Sequence, residues 1–243
     1  MSGLVDLHCH LLPGVDDGAR SLEDSLEMAR ALVDLGFTTV APSPHARPEY
    51  APPEVVEARL SEVRAALERE GIALTLGRNA ENVLDDAFLR SLGTPAARMM
   101  GTGPSVLVEL PYTTPVPMLP DILFRIRTKG VIPVIAHPER CLEFERKGRA
   151  AEAVRTGALL QLDVGALLGR YGGPAKKLAR AFLEDGLYSL GATDLHGPVG
   201  AREWLGRALE ELRSRAGEQA FGRLLRDNPT RLLRGETLES RGE

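Results

Sequence analysis

Short apolar segments alternate with amphipathic segments along most of the chain, and this alternation constrains the fold more than any other feature. Seven segments rich in aliphatic and β-branched residues are predicted strands: 4–7, 37–41, 72–76, 106–110, 131–136, 159–164 and 187–191. Between them lie segments of helical period at 21–35, 53–70, 119–129, 150–156, 174–185 and 201–216. Strands separated by helices predict a parallel sheet of the α/β class, open or closed into a barrel.

No segment has the composition of a linker that would divide the chain. The proline-rich pieces 42–53 and 111–120 follow predicted strands, which is typical of strand-to-helix loops rather than of domain boundaries. We therefore expect a single domain over residues 1–234, followed by a polar tail over 235–243.

Composition excludes several classes of function. The net charge of −4 comes without a basic stripe, so nucleic acid is not an expected partner. No apolar run approaches the ~20 residues that a membrane-spanning helix needs, which argues against membrane insertion. The N-terminus lacks the pattern of a signal peptide, and two cysteines make no disulfide framework. We expect a cytoplasmic protein.

All five histidines lie at or just after the C-terminal end of a predicted strand, where parallel α/β proteins build their sites. They are His8, His10, His45, His137 and His196. Four carboxylates are expected on the same face, namely Asp17, Glu81, Glu109 and Asp194. The side chains of His8 and His10, two residues apart in an extended segment, point the same way and can reach one ion.

Imidazole and carboxylate together favour zinc, manganese or iron over calcium or magnesium, which prefer oxygen ligands. Nine candidate ligands exceed what one tetrahedral ion can use. The sequence therefore predicts two or three divalent transition-metal ions that share bridging carboxylates, an arrangement common in enzymes that catalyse displacement at phosphorus. Such ions would neutralise phosphate oxygens and lower the pKa of a bound water that attacks the phosphorus.

Five motifs in chain order resemble those of the PHP (polymerase and histidinol phosphatase) superfamily: DLHCHLLPGVDDGAR, SPHARPEY, LVELPY, VIAHPERC and ATDLHG. Within it, they are similar to the bacterial metal-dependent protein-tyrosine phosphatases that act on capsule and exopolysaccharide tyrosine kinases. The resemblance implies a distorted (β/α)7 barrel, hydrolysis of phosphotyrosine, and a tyrosine-phosphorylated partner such as a bacterial tyrosine kinase. Manganese is the expected metal for activity, with iron and zinc as alternatives.

The resemblance also implies a role for each candidate ligand. His8 and His10 would hold the first metal, with Glu81 bridging to a second and Asp194 completing the shell. Glu109 and His137 would hold the second metal beside Glu81. Asp17, His45 and His196 would hold the third. Asp85 is a competitor of Glu81 for the bridging position.

Two arginines are implied as phosphate contacts. Arg140, the arginine of HPER, is the first. Arg202 is the nearest arginine after the last histidine, and we take it as the second candidate.

Other functions stay open at this stage. Histidinol phosphate or another small phosphate ester is an alternative substrate for the same metals, and a catalytically inactive module that binds a kinase tail is the non-enzyme alternative. A cysteine-dependent phosphatase is excluded, because Val15 and Lys147 stand where a C-x5-R loop around Cys9 or Cys141 would need arginine. The number of copies in the assembly is also left open.

Overall fold

Every strand pairing in the computed structural model, which describes residues 3–94 and 97–238, is parallel. The strands are β1 (Leu4–Asp6), β2 (Phe37–Val40), β3 (His45–Ala46), β4 (Thr75–Leu76), β5 (Glu81–Val83), β6 (Ser105–Glu109), β7 (Ile132–Ala136), β8 (Leu159–Asp163) and β9 (Tyr188–Ala192). The predicted α/β class is confirmed.

These strands are divided between two sheets. One has the order β1-β2-β4 and the other the order β3-β5-β6-β7-β8-β9. The segments predicted as the second and third strands thus each continue, after a break, into a short strand of the other sheet. Pro42 and Pro44 explain the first break, because neither residue has a backbone N–H to donate to a ladder.

Backbone contacts join the chain just after β1 to the chain just after β9. Cys9 and Leu195 form a parallel bridge, and the N–H of His10 donates to the carbonyl of Leu195 at 2.9 Å. The N–H of Asp194 donates to the carbonyl of His8, also at 2.9 Å. These bonds hold His8 and His10 beside Asp194 at the C-terminal ends of the strands.

The helices are α1 (Leu22–Asp34), α2 (Pro53–Arg69), α3 (Asp86–Ser91), α4 (Leu119–Thr128), α5 (Arg149–Arg155), α6 (Gly172–Glu184), α7 (Ala201–Gly222) and α8 (Asn228–Leu233). The six predicted helices correspond to α1, α2 and α4–α7. Ser21 caps α1, as its position suggests, by accepting a hydrogen bond from the N–H of Asp24 at 3.2 Å. The short helices α3 and α8 were not predicted, because six residues carry too little periodicity.

Helix α7 runs beyond its predicted end at residue 216. Gly217 has φ 77° and ψ 164° and interrupts it with a kink, after which helical structure resumes and passes through a π-helical turn at Arg223–Asp227 into α8. A glycine at this position adopts the positive φ without a Cβ clash, which lets the chain bend without ending the helix.

A buried apolar cluster lies among the strands, formed by side chains such as Val5, Leu7, Leu107, Val134 and Leu190. A larger cluster packs the other faces of the strands against the helices. Leu238 packs against the first cluster, while 239–243 lie outside the described residues. The predicted boundary between a domain ending at 234 and a tail stays a prediction. None of the helices in the described residues has the length and apolarity to cross a membrane.

Candidate metal centre

The structure brings all nine predicted ligands together at the C-terminal ends of the strands. They form four overlapping groups whose potential ligand atoms lie within 4.8 Å of one another. The groups are His8–His10–Asp194, His8–Glu81–His137, His45–Glu81–Glu109 and His10–Asp17–His45–His196. Sequence positions from 8 to 196 therefore converge on one centre.

Ligand atoms of Asp194 and Glu81 lie at metal-site spacing from the two histidine nitrogens that enter this centre. The Nε2 atoms of His8 and His10 are 3.3 Å apart, and Oδ1 of Asp194 lies 3.1 and 3.4 Å from them. Oε2 of Glu81 lies 3.3 and 3.6 Å from the same two nitrogens. Tetrahedral ligands at ~2.1 Å from an ion stand about 3.4 Å apart, so these distances match such a site.

Hydrogen bonds on the far side of the rings orient the first two histidines. Nδ1 of His8 pairs with Oε1 of Gln161 at 2.8 Å, and Nδ1 of His10 pairs with Oδ2 of Asp16 at 2.7 Å. When Nδ1 carries the proton and donates it to these oxygens, each Nε2 keeps a lone pair directed into the centre. Asp16 also accepts from the N–H groups of Gly18 and His45, which ties it to the surrounding loops.

The backbone at two ligands is strained. His137 (φ 31°) and Asp194 (φ 48°) are the non-glycine residues with positive φ in the part of the chain that the structure describes. They lie just beyond the ends of β7 and β9. Left-handed backbone costs energy for residues with a Cβ and clusters at functional sites, so this strain supports a functional role for both positions.

His137 and Glu109 contact the other side of the centre. Nε2 of His137 lies 3.0 Å from Oε1 of Glu81, the carboxylate oxygen opposite the one that faces His8. Glu109, at the end of β6, accepts hydrogen bonds from Arg47 and from the hydroxyl of Tyr112. Glu81 therefore lies between two sets of potential ligands, as expected of a bridging carboxylate.

The third set of predicted ligands lies nearest to solvent. Oδ1 of Asp17 is 3.3 Å from Nε2 of His45 and 3.6 Å from Nε2 of His196. The carboxylate of Asp17 is about half exposed, whereas His45 is nearly buried. This edge of the centre is open to a molecule from solvent.

The environment of the centre strongly shifts the pKa values of its side chains. Burial alone would raise the pKa of Glu81, but the charge of His8 and a hydrogen bond from His137 hold it well below its usual range. Burial would lower the pKa of His8, but the charges of Glu81 and Asp194 raise it to about 9. The carboxylates thus create a field that favours positive charge at this position.

Two buried carboxylate oxygens without a hydrogen bond show whether the residues present fit a metal. Oε2 of Glu81 and Oδ1 of Asp194 make no hydrogen bond within the described residues. Unsatisfied buried carboxylate oxygens are costly, and these two face the Nε2 atoms of both histidines. A cation would satisfy both oxygens and replace the proton on each nitrogen, so the donor set fits a divalent metal.

Arg140 lies beside this centre in the turn after β7. Its Nη1 donates to Oδ2 of Asp194 at 2.6 Å, and its Nη2 donates to the hydroxyl of Tyr112 at 3.0 Å. The guanidinium also packs against two rings, 4.7 Å from the centroid of Tyr112 and 4.1 Å from that of Tyr171. These contacts fix a charged fork at the edge of a cavity of about 510 Å³ that Asp17, Asp194 and His196 also line.

The structure does not bring the second predicted arginine to this cavity. Arg202 forms an ion pair with Asp34 of α1, and its side chain is 61% exposed. Its role as a phosphate contact stays a prediction. Asp85, the competitor of Glu81, caps α3 by accepting a hydrogen bond from the N–H of Phe88 at 2.7 Å, while Glu81 lies in the centre.

Neither cysteine has the environment of a nucleophile. Cys9 is fully buried on the side of the strand away from the two histidines, and Cys141 is 1% exposed. Burial raises the pKa of both thiols well above the usual value. The thiolate is the reactive form, so both side chains serve packing.

Sequence reasoning missed the residues that surround the ligands. Gln161 orients His8 from the middle of β8, and Tyr112 and Tyr171 flank Arg140. Arg170 packs on Trp204 at the cavity. Each is an ordinary strand or loop residue in the sequence. The YGG segment after Arg170 marks a turn, but nothing in the sequence indicates that the turn faces the ligands.

Comparison with known proteins agrees with this geometry. The chain is 29% identical over 238 residues to tyrosine-protein phosphatase YwqE of Bacillus subtilis, covering 97% of this chain and 93% of that protein. It is 26% identical over 239 residues to tyrosine-protein phosphatase CpsB of Streptococcus pneumoniae, covering 95% and 98%. These relatives confirm the predicted resemblance to bacterial tyrosine phosphatases.

A solved structure matches over nearly the full length. It comes from the crystal structures of YwqE from Bacillus subtilis and CpsB from Streptococcus pneumoniae, described as unique metal-dependent tyrosine phosphatases. The TM-score is 0.86 at 29% identity, covering 97% of this chain and 96% of the other. Residues 4–234 match the family described as capsular polysaccharide synthesis, CpsB/CapC. The chain belongs to the CpsB/CapC family of capsular polysaccharide synthesis proteins.

Proposed function

We propose that the protein is a metal-dependent phosphatase that removes phosphate from phosphotyrosine in proteins. The observation that carries the proposal is that the Nε2 atoms of His8 and His10 each lie 3.1–3.6 Å from a carboxylate oxygen of Glu81 and one of Asp194. The guanidinium of Arg140 lies beside them and donates to Asp194. Relatives that match over almost the whole chain are named tyrosine-protein phosphatases, which supports phosphotyrosine as the substrate.

The nine ligands would hold two or three divalent ions. We assign His8, His10, Glu81 and Asp194 to the first, Glu81, Glu109 and His137 to the second, and Asp17, His45 and His196 to the third. The mixed nitrogen and oxygen donors suit manganese, iron or zinc, and we propose manganese for activity. When bound, such ions supply Lewis-acid charge that polarises the phosphate ester and makes water more acidic.

The chain itself would bind and orient the phosphate. The planar guanidinium of Arg140 can donate hydrogen bonds to two phosphate oxygens, and its contacts with Asp194 and Tyr112 hold it in place before substrate binds. Its charge lies where negative charge increases in the transition state. The leaving phenolate has a pKa of about 10, so it departs with less need of a proton than an alkoxide.

A bacterial tyrosine kinase of capsule or exopolysaccharide synthesis is the partner we propose. The support is the family itself, which is described by capsular polysaccharide synthesis. A phosphotyrosine on such a kinase would be presented on the cytoplasmic side, so we propose the cytoplasm as the location.

We further propose that the two sheets form one distorted seven-stranded barrel. The support is the continuity of β2 with β3 and of β4 with β5, together with the bridge between Cys9 and Leu195. In such a barrel the first and last strands would be neighbours, which accounts for the proximity of His8 and Asp194.

Substrate selectivity tests the proposal. We expect the protein to release phosphate from a phosphotyrosine peptide much faster than from the same peptide with phosphoserine, and faster than from histidinol phosphate. A chelator should abolish the release. Preference for histidinol phosphate would favour the small-molecule alternative, and tight peptide binding without any hydrolysis would favour an inactive binding module.

A further inference from the structure

Two arginines without an acidic partner line the cavity beside the metal centre. Arg20 follows the first group of ligands, and Arg170 lies in the turn before α6. Neither forms an ion pair with any residue in the described ranges, whereas Arg140 in the same cavity pairs with Asp194. Their charges are therefore available to a bound molecule.

Arg170 is held in position by an aromatic ring. Its guanidinium lies 4.0 Å from the centroid of Trp204, on α7. Gly165 makes the arrangement possible, because a Cβ there would lie 2.9 Å from Cδ of Arg170 and 3.4 Å from the ring of Trp204. A stacked guanidinium keeps its N–H edges free and loses little side-chain entropy when it binds an anion.

The carboxylates that line the cavity do not neutralise the charges of Arg20 and Arg170. Asp194 pairs with Arg140 and faces the histidines, and Asp17 faces His45 and His196. Asp24 is the one further acidic residue among the described residues that line the cavity. Its carboxylate accepts a hydrogen bond from the backbone N–H of Arg20 at 3.1 Å. No carboxylate among the described residues forms an ion pair with Arg170.

We infer that Arg170, stacked on Trp204, and Arg20 form a subsite for an acidic side chain next to the phosphotyrosine of the substrate. The inference rests on the proposed function and names the class of peptide that the site takes. A cavity of about 510 Å³ has room for a neighbouring side chain beside a phosphorylated ring. A carboxylate matches the planar fork of Arg170 and would bind it through two parallel hydrogen bonds.

Two phosphotyrosine peptides that differ in their flanking residues test the subsite. One carries glutamate on both sides of the phosphotyrosine, and the other carries glutamine there. We expect the wild-type protein to favour the glutamate peptide by about three- to tenfold in kcat/KM, mainly through KM, since a partly exposed charge pair contributes modestly. Higher salt should reduce the preference, because it screens the pair.

Variants of Arg170 test whether this residue causes the preference for the glutamate peptide. Arg170→Ala should remove most of it and Arg170→Glu should reverse it, while hydrolysis of a small aryl phosphate stays close to wild type. Arg207→Ala is the matched control, because it removes another exposed arginine, one that lies on α7 outside this cavity. It should retain the wild-type preference.

Binding measured by fluorescence polarisation gives a readout that does not depend on turnover. The glutamate peptide should bind the wild-type protein more tightly than the glutamine peptide, and Arg170→Ala should abolish the difference. Equal binding of the two peptides by wild type, or an unchanged ratio in Arg170→Ala, would overturn the inference. Failure of the proposed function is distinct, since it would appear as no metal-dependent hydrolysis of the aryl phosphate itself.

Discussion

Arg140 and Asp194 are joined by a hydrogen bond of 2.6 Å from Nη1 to Oδ2, although they lie in different strand-to-helix loops. The other oxygen of Asp194 lies 3.1 Å from Nε2 of His8. One carboxylate thus links the predicted phosphate contact to the first predicted metal position. This link lets the metal centre fix the angle at which the arginine meets a phosphate.

Replacing Arg140 should therefore lower the rate of catalysis while the protein stays folded. We expect Arg140→Ala and Arg140→Lys to lower kcat together with kcat/KM by roughly 30- to 1000-fold, because a lost transition-state contact of this kind is worth about 2–4 kcal/mol. Lysine cannot restore the two-pronged contact. Steady-state kinetics with an aryl phosphate, beside metal analysis of the same samples, provide the measurement. Rates within about twofold of wild type would mean that Arg140 serves only as a partner of Asp194.

Gln161 should control metal affinity without touching the metal. Its Oε1 accepts a hydrogen bond from Nδ1 of His8 at 2.8 Å and so fixes the ring with Nε2 towards the centre. We expect Gln161→Leu to weaken metal binding by about 10- to 100-fold, the usual effect of losing such a partner. Titration with Mn²⁺ measures this, with Gln219→Leu on the exposed face of α7 as control. Equal affinities in both variants would exclude an orienting role.

Metal should stabilise the folded protein as well as activate it. A ligand that binds only the native state adds about 2.7 kcal/mol at 100 times its Kd. Because Glu81 lies in two of the four ligand groups, Glu81→Gln should lose most of this stabilisation. Thermal unfolding with and without Mn²⁺ after chelation tests this. A wild-type Tm that does not respond to the metal, or a Glu81→Gln variant that responds as fully as wild type, would contradict the assignment.

Both cysteines should be dispensable for turnover. Cys9 and Cys141 are buried, and burial raises the pKa of their thiols well above the usual value. We expect Cys9→Ser and Cys141→Ser to keep activity near that of wild type, with at most a modest loss of thermal stability from a buried hydroxyl. Loss of turnover in either variant with metals still bound would revive a thiol mechanism.

The sequence allowed the convergence of these side chains to be predicted because two regularities coincide. Parallel strands end at the same edge of a sheet, and the five histidines each follow a predicted strand. The division of the second strand into β2 and β3 was missed, although Pro42 and Pro44 are a signal for it. The contacts of Arg170 with Trp204 and of Arg202 with Asp34 join distant elements, so no local pattern could indicate them.

The most direct test of the account is the rate of phosphate release from a phosphotyrosine peptide as Mn²⁺ is added to protein stripped by chelation. The account predicts no release by the stripped protein, and a rate that rises to a plateau at two or three equivalents of metal. His10→Ala, which removes one of the two predicted nitrogen ligands of the first metal, should stay inactive throughout the titration. Undiminished release by the stripped wild-type protein, or full activity of His10→Ala, would contradict it.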